Sequence, residues 1–295
     1  MSIDFSKSPE RNLYILPFSR GEVNVPKPSG KERVLSIATI RDVVVQKILY
    51  EVLYSEVEKV FCVNSALDRV SWAYRKGKSA PDAAKLIHHY IQNGFQCALD
   101  ADIVQFFDRI SHSRLISIIE NLFGQQTRVS TLLRRFIKTS GISYRDDRGK
   151  PRNTKTFHHH KPPKQNLRLE GIPQGGVLSG MLANLYLHEF DKWAIANLAR
   201  DYTLRYVRYA DDFVILLKSQ EKLSEIHCRV EQKLAEIKLE LHPILEDAEA
   251  SKTKYLDISQ TSLIFLGFEL TRDRLKISPA NINRFQAKIQ QKIQK

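Results

Sequence analysis

Two short runs of β-branched and aromatic residues, separated by only three residues, constrain the fold of this chain more than any other feature. Leu204–Tyr209 and Phe213–Leu217 flank the triplet Ala210-Asp211-Asp212. Runs of this composition with so short a connection are typical of an antiparallel β-hairpin, and Asp is a common turn residue. The pattern therefore predicts two adjacent strands with an acidic pair at the turn between them.

The rest of the chain alternates helix-like and strand-like segments around this hairpin. Helices are predicted after the capping residues Thr39 and Ser79, from His112 to Phe123, from Ser179 to about Ala199, and from about Glu221 to Lys238. Strands are predicted over Gln96–Gln105 and Leu263–Leu270. This order of elements predicts an α+β fold, in which helices cover one face of a ferredoxin-like antiparallel sheet.

The charge balance indicates a polyanionic partner, and the apolar runs and cysteines indicate a soluble protein in a reducing compartment. The 295 residues include 46 Lys and Arg against 33 Asp and Glu, a formal net charge of +13. No apolar run reaches the roughly 18 residues that span a bilayer, and Asp4 falls where a signal peptide would be apolar. The cysteines, Cys62, Cys97 and Cys228, are odd in number and far apart, which favours neither a disulfide framework nor a thiolate metal site. A cytoplasmic protein with no membrane partner is expected.

A second acidic segment lies in the strand-like run Leu99-Asp100-Ala101-Asp102. A sheet that pairs this run with the hairpin would bring Asp102 beside Asp211 and Asp212. Carboxylates in apolar strands are costly unless a cation compensates them, and all-oxygen ligation favours Mg²⁺, with Mn²⁺ as a substitute. Each acidic spot taken alone is more often a turn, cap or surface feature, so only their conjunction favours a two-metal site for phosphoryl transfer.

Six segments together carry a family resemblance. In chain order they are residues 33–46, residues 73–79, Asp102 followed by Phe107, residues 171–187 with Gly171-Ile-Pro-Gln-Gly-Gly-Val-Leu-Ser179, Tyr209-Ala-Asp-Asp212, and Phe265-Leu-Gly-Phe268. They resemble the motifs of reverse transcriptases, in particular those encoded by group II introns and related bacterial enzymes associated with phage defence or CRISPR. The resemblance covers about residues 23 to 270.

The resemblance implies a polymerase right hand whose palm is the ferredoxin-like sheet. It assigns residues 1–95 and 126–175 to the fingers, residues 96–125 and 176–278 to the palm, and residues 279–295 to the start of a thumb helix. The second fingers segment contains a basic stretch, residues 140–170, which would either contact the template backbone or form a surface loop. Further C-terminal domains or partner proteins would complete the hand.

The resemblance also implies roles for individual residues. Asp102, Asp211 and Asp212 would bind the metal ions, assisted by the Ile103 carbonyl. Phe107 would lie under the sugar of the incoming nucleotide and exclude a 2′-hydroxyl, and Gln174 would lie over the sugar. Without the resemblance, Phe107 reads as a core aromatic and the segment around Gln174 as a turn.

Three basic residues receive roles in handling the phosphates. Arg75 and Lys78 would hold the triphosphate, with Lys76 a weaker candidate, because three phosphates carry more charge than two Mg²⁺ ions neutralise. Lys252 would protonate the departing pyrophosphate, although it lies farther from Leu241-His242-Pro243 than the family usually has it, so Lys254 stays possible. Solvated surface positions are the alternative for Lys252 and Lys254.

The resemblance implies a Mg²⁺-dependent RNA-directed DNA polymerase that uses dNTPs, an RNA template and a DNA primer. Two other functions stay open. One is template-independent or protein-primed synthesis, as some defence relatives perform, and the other is a non-catalytic RNA-binding or maturation module. The intact carboxylates argue against the non-catalytic module, because a protein that only binds a polyanion gains nothing from buried negative charge.

Overall fold

The computed structural model describes residues 20–26, 32–138, 169–245 and 251–293. The chain divides into two compact units: unit 1 comprises Met1–Val57 and Gln105–Tyr186, and unit 2 comprises Glu58–Val104 and Leu187–Lys295. Most of the basic stretch, residues 140–168, lies outside the described residues.

The helices of the described residues alternate with the strands along the chain. They are α1 (Ile40–Phe61), α2 (Ser65–Asp68), α3 (Ala80–Gln92), α4 (Phe106–Arg109), α5 (His112–Phe123), α6 (Arg128–Lys138), α7 (Ser179–Trp193), α8 (Ala199–Asp201), α9 (Leu223–Glu236) and α10 (Pro279–Ile293). The strands are β1 (Arg20–Pro26), β2 (Glu32–Ala38), β3 (Cys97–Asp102), β4 (Leu204–Tyr209), β5 (Asp212–Leu217), β6 (Lys254–Asp257), β7 (Leu263–Phe265), β8 (Phe268–Leu270) and β9 (Leu275–Ile277).

Unit 1 combines the β1–β2 hairpin, which the sequence analysis did not predict, with α4 to α6 and parts of α1 and α7. The predicted cap of α1 is present, because the Asp42 amide donates to Thr39 Oγ1 at 3.3 Å. The amide side chain of Gln46, buried in α1, accepts a hydrogen bond from the Val177 amide at 3.0 Å. A polar contact thus ties α1 to the start of the segment that leads into α7.

Unit 2 contains the predicted antiparallel sheet, with strand order β4-β5-β3-β6. Side chains of α3, such as Ile87, share one core with Val214 and Leu216 of β5. Phe190 of α7 contacts Phe213 of β5 at a centroid distance of 5.5 Å. Because Phe213 and Val214 are adjacent on one strand and face opposite ways, helices cover both faces of the sheet. The sequence predicted helices on one face of the sheet only, and the structure adds α3 on the other face.

The hairpin, the α+β class and the helices after Thr39 and Ser79 are confirmed. The single strand predicted over Leu263–Leu270 is wrong: β7 and β8 are separate strands that pair with each other. Leu266 and Gly267 have φ angles of 53° and 80°, and a left-handed pair of this kind reverses the chain direction. Only the first part of the strand predicted over Gln96–Gln105 is present, because β3 ends at Asp102 and Gln105 has a φ of 45°.

The predicted terminal helix is present as α10, and its apolar side is solvent-exposed. The exposed side chains are Ile282, Phe285, Ile289 and Ile293. In the described part of the chain, none of the helices combines the length and the apolar character needed to cross a membrane.

Candidate active site

The acidic residues of unit 2 meet at one end of the sheet. Asp102, the last residue of β3, is the direct cross-strand partner of Asp212, the first residue of β5. Asp211 occupies the preceding turn, and Asp100 lies two residues before Asp102 and therefore on the same face of the strand. The sheet thus brings together the carboxylates that the sequence placed in two separate segments.

Two of these carboxyl groups resist ionisation. The pKa of Asp212 is raised to about 7 by the surrounding protein, which displaces water, and then by the negative charges of Asp211, Asp102 and Asp100. One side of Asp212 stays open to solvent. Burial likewise raises the pKa of Asp100 to about 7; Asp102 adds to the shift and Lys254 opposes it. The cluster therefore holds more negative charge than its own surroundings compensate.

Lys252 contacts this cluster directly, because its Nζ donates to Asp102 Oδ2. His242 Nε2 lies 3.3 Å from Lys252 Nζ, and the His242 amide donates to the Asp102 carbonyl at 2.9 Å. Lys254 opposes Asp100 in the pairing of β6 with β3. The pairing explains how Lys252 reaches Asp102 in spite of its unusual distance along the chain from His242.

Ile103 follows β3 and is buried, forming an isolated antiparallel bridge with Leu241. The side chains that meet at this end of the sheet offer carboxylate oxygens. A hard divalent cation such as Mg²⁺ or Mn²⁺ prefers such ligands. The residues present therefore fit the metal ions that the sequence analysis inferred.

The predicted nucleotide-contacting residues of unit 1 form a second cluster. Phe107 lies in α4, with its ring 5.4 Å from the buried ring of Phe106. Its carbonyl accepts from the Ile172 amide at 2.7 Å, and Gln174 Nε2 donates to Asp108 Oδ2 at 3.1 Å. The segments that carry Phe107 and Gln174 are thus hydrogen-bonded to each other within this unit.

Gly171 makes this close approach possible. It has a φ of 74°, and a Cβ at this position would lie 2.6 Å from the Asp108 carbonyl oxygen. Another residue type would push the two segments apart. The glycine that opens the predicted nucleotide-pocket motif therefore has a packing reason as well.

Arg75 is not solvent-facing in this structure. Its guanidinium bonds to Glu58, to Asp68 Oδ1 at 2.7 Å and to the Ser71 carbonyl at 2.8 Å, and the residue is 4% exposed. Lys78 Nζ contacts the same Asp68 carboxylate at 3.0 Å and lies 4.6 Å from the Trp72 ring centroid. Binding of a triphosphate by these two residues stays a prediction, and it would require them to exchange their present partners.

Glu58, Cys62 and Asp68 place their ligand atoms within 4.8 Å of one another. The spacing would suit a metal ion, but Arg75 already bonds to all three side chains. A guanidinium therefore fills the position that a cation would take.

Sequence reasoning gave no role to Asp100, Asp108 or His242. Asp100 could have been found from the period-two spacing to Asp102. Asp108 carries no comparable signal, because its partner Gln174 is 66 residues away along the chain. His242 carries none either, because its contact with Lys252 depends on how the segment between them folds.

An antiparallel sheet that presents carboxylates from two neighbouring strands, one of them the arm of an Asp-Asp hairpin, defines a polymerase-type palm. Residues 25–270 match the family model for reverse transcriptase (RNA-dependent DNA polymerase), and the chain belongs to this family.

The curated relatives are mostly much longer than the region they share with this chain. The group II intron-encoded protein LtrA of Lactococcus lactis subsp. cremoris is 32% identical over 187 residues, which make up 63% of this chain and 25% of LtrA. Protein YkfC of Escherichia coli (strain K12) is 26% identical over 295 residues, covering 88% of this chain and 68% of YkfC.

Solved structures of telomerase share the fold. The telomerase of Candida albicans, in complex with a TWJ fragment of telomeric RNA, superimposes with a TM-score of 0.64 at 14% identity. The match covers 89% of this chain and 45% of the telomerase chain. An apo telomerase of Candida tropicalis gives a TM-score of 0.62 at 11% identity.

Proposed function

We propose that this protein is an RNA-directed DNA polymerase that adds dNTPs to a DNA primer by metal-assisted phosphoryl transfer. One observation carries the proposal: Asp102 and Asp212 are direct cross-strand partners in a chain that belongs to the reverse transcriptase family. The pKa of Asp212, raised by burial and then by the negative charges of Asp211, Asp102 and Asp100, supports it, because bound cations would offset this repulsion.

Asp102, Asp211 and Asp212 are the proposed metal ligands, with the Ile103 carbonyl assisting. The preferred ion is Mg²⁺, with Mn²⁺ as a substitute. When bound, two such ions would activate the primer hydroxyl and neutralise charge on the leaving pyrophosphate. Asp102 would exchange its ion pair with Lys252 for metal coordination, which releases the ammonium group of Lys252.

Lys252 is the proposed proton donor to the departing pyrophosphate. Its contact with Asp102 keeps the ammonium group beside the carboxylates before substrate arrives. His242 contacts Lys252 and so restricts where the ammonium group can lie. Lys254 is the weaker candidate, since it opposes Asp100 within the sheet.

Phe107 and Gln174 are the proposed contacts to the nucleotide sugar. The ring of Phe107 would exclude a 2′-hydroxyl, and its packing against Phe106 would keep it from moving aside. The hydrogen bond from Gln174 to Asp108 would hold the amide in place. Arg75 and Lys78 are the proposed contacts to the triphosphate, and on binding they would exchange their present ion pairs with Asp68 for phosphate oxygens.

The proposed partners are an RNA template, a DNA primer and dNTPs, in the cytoplasm. The formal charge of +13 supports a nucleic-acid partner whose binding weakens with salt. The fingers, palm and thumb boundaries given above belong to the same proposal, with α10 as the first thumb helix.

The test is primer extension by the full chain on a primed RNA with Mg²⁺ and dNTPs. Asp211→Asn should abolish incorporation while the affinity for the primed RNA, measured by fluorescence anisotropy, is kept. Asp201→Asn is the matched control, because Asp201 is an acidic residue of unit 2 that pairs with Arg229. Extension by Asp211→Asn at the rate of the unmutated protein would contradict the site assignment.

Two further outcomes separate the other functions. Incorporation that does not depend on added template or primer would indicate template-independent or protein-primed synthesis. Salt-sensitive RNA binding without incorporation on any template would indicate a non-catalytic module.

A further inference from the structure

Arg208, one residue before the Tyr209-Ala-Asp-Asp212 segment, is completely buried although it is charged. Its Nε donates to Asp191 Oδ1 at 2.8 Å, and its second terminal nitrogen donates to Asp191 Oδ2 at 2.5 Å. Tyr206 also donates to Asp191 Oδ1, at 2.9 Å. Asp191 is only 1% exposed, so the pair is a bidentate ion pair inside the protein.

The remaining terminal nitrogen of Arg208 points along the chain to the hairpin turn. It donates to the Ala210 carbonyl at 2.9 Å. Ala210 and Asp211 form a two-residue turn, because Tyr209 and Asp212 are cross-strand partners. Ala210 has a φ of 58°, a left-handed conformation that is unfavourable for a non-glycine residue. The turn thus needs support, and Arg208 supplies a hydrogen bond to it.

The backbone of Arg208 is held from the other side. Its amide donates to the Val70 carbonyl at 2.8 Å, and its carbonyl accepts from the Trp72 amide at 3.0 Å. The backbone amide, the backbone carbonyl and all three side-chain nitrogens of Arg208 are therefore hydrogen-bonded. The guanidinium is a rigid link between α7, which carries Asp191, and the turn that carries Asp211.

A role in stability alone does not explain this arrangement. A buried ion pair is often no more stabilising than an apolar pair of similar volume, because of the desolvation cost. The fork geometry of arginine does offer what an apolar pair lacks, which is a directed donor for the strained carbonyl.

We infer that Arg208, oriented by Asp191, is a positioning residue that fixes the Ala210-Asp211 turn and thereby holds the Asp211 and Asp212 carboxylates in register with Asp102. This inference rests on the proposed function, since it assigns the carboxylates to catalysis.

The experiment compares three variants of the full chain. Arg208→Lys keeps the charge but loses the fork. The double variant Asp191→Leu with Arg208→Met replaces the buried pair by apolar side chains and removes the donor to Ala210, while leaving no unpaired charge. Arg205→Lys is the matched control on the same strand, because Arg205 is exposed and lies over the Phe95 ring. Circular dichroism and thermal melts identify a temperature well below every melting point, at which all assays are run.

Both test variants should lower kcat by about 10- to 100-fold, the effect of a displacement of about 1 Å in a reacting group, with little change in KM for dNTP. The Mn²⁺ concentration that half-saturates the folded protein, measured by electron paramagnetic resonance, should rise by about 10-fold. Arg205→Lys should match the unmutated protein. A folded double variant with unchanged kcat and unchanged Mn²⁺ binding would overturn the inference.

Different outcomes would contradict the proposed function and the role of Arg208. If the unmutated protein binds Mn²⁺ at Asp211 but incorporates nothing, the proposed function fails and the Mn²⁺ measurement still tests Arg208. If the unmutated protein incorporates dNTPs and both Arg208 variants do so equally well, only the role of Arg208 fails.

Discussion

The carboxylates of unit 2 are compensated in two different ways. Asp191 is matched by its own protein, with both oxygens bonded to the Arg208 guanidinium and a third donor from Tyr206. At the open end of the same sheet, Asp100, Asp102 and Asp212 lie close enough to repel one another, and Lys252 forms an ion pair with Asp102. The difference indicates where a cation from outside is expected: the protein itself supplies the counterion of Asp191, whereas the proposed metal ligands repel one another.

The same contrast bears on the buried arginines. Arg208 and Arg75 are each almost fully enclosed, and each is bonded to carboxylates and to backbone carbonyls. Both arginines therefore support the backbone around them, and the triphosphate contact that the motif implies for Arg75 stays a prediction. Their burial could not be predicted from a motif, because it depends on the tertiary fold.

The largest effect should come from replacing a carboxylate at the open end. Asp102→Asn should reduce the rate of primer extension by about 10³-fold, because a group that acts on the transition state is lost, while stability changes little. Stopped-flow or quench-flow extension on primed RNA measures the rate, and chemical denaturation measures the stability. A variant that keeps its rate would remove Asp102 from the candidate site.

The second-largest effect is expected on stability, at Asp191, the carboxylate whose counterion is Arg208. Asp191→Asn leaves the buried Arg208 without its counterion, which should lower the free energy of unfolding by about 3–5 kcal/mol. Urea denaturation followed by circular dichroism checks this. Asp201→Asn, at a solvent-exposed ion pair, should cost no more than about 1 kcal/mol. Equal losses of stability for Asp191→Asn and Asp201→Asn would show that the buried ion pair contributes no more than an exposed one.

A third prediction concerns His188, which is buried and packs edge-on against Phe61. Burial lowers its pKa to about 4. The charged groups that act on it are Asp191, which raises the pKa, and Lys192, Arg208 and Arg75, which lower it. The ring is therefore neutral in the folded protein at pH 5, whereas the unfolded chain, with a histidine pKa of about 6.5, binds a proton.

Because the unfolded state binds the extra proton, this histidine should cost stability as the pH falls. Between pH 7.5 and pH 5 its contribution should amount to about 2 kcal/mol. Denaturation midpoints of the unmutated protein and of His188→Gln, compared across this range, isolate the contribution. His89→Gln, at an exposed histidine, serves as the control. Parallel curves for the unmutated protein and His188→Gln would contradict the assignment.

The smallest expected effect is a gain in stability. Asp100→Asn should raise the free energy of unfolding of the metal-free protein at pH 8 by about 1 kcal/mol, since a poorly compensated buried charge is removed. Thermal melts in the presence of a chelator measure it. A loss of stability would show that the attraction of Asp100 to Lys254 outweighs its burial.

Several elements could be predicted from local patterns. The hairpin around Ala210-Asp211-Asp212 follows from two β-forming runs with a short connection, and α3 follows from Ser79, whose side chain caps it. The division of Leu263–Leu270 into two strands could not be predicted in this way. It depends on left-handed angles at Leu266 and Gly267, and a leucine in that conformation goes against its own preference.

The sequence by itself determined which residues are candidates for the site, because motif order and residue type are local properties. It named Asp102, Asp211, Asp212 and Lys252 from separate segments. Only the tertiary structure decided how these residues are compensated. The cross-strand register sets Asp102 against Asp212, and burial commits Arg208 to Asp191 and Arg75 to Asp68. Charge balance in a protein interior depends on neighbours distant along the chain, which is why the fold had to supply it.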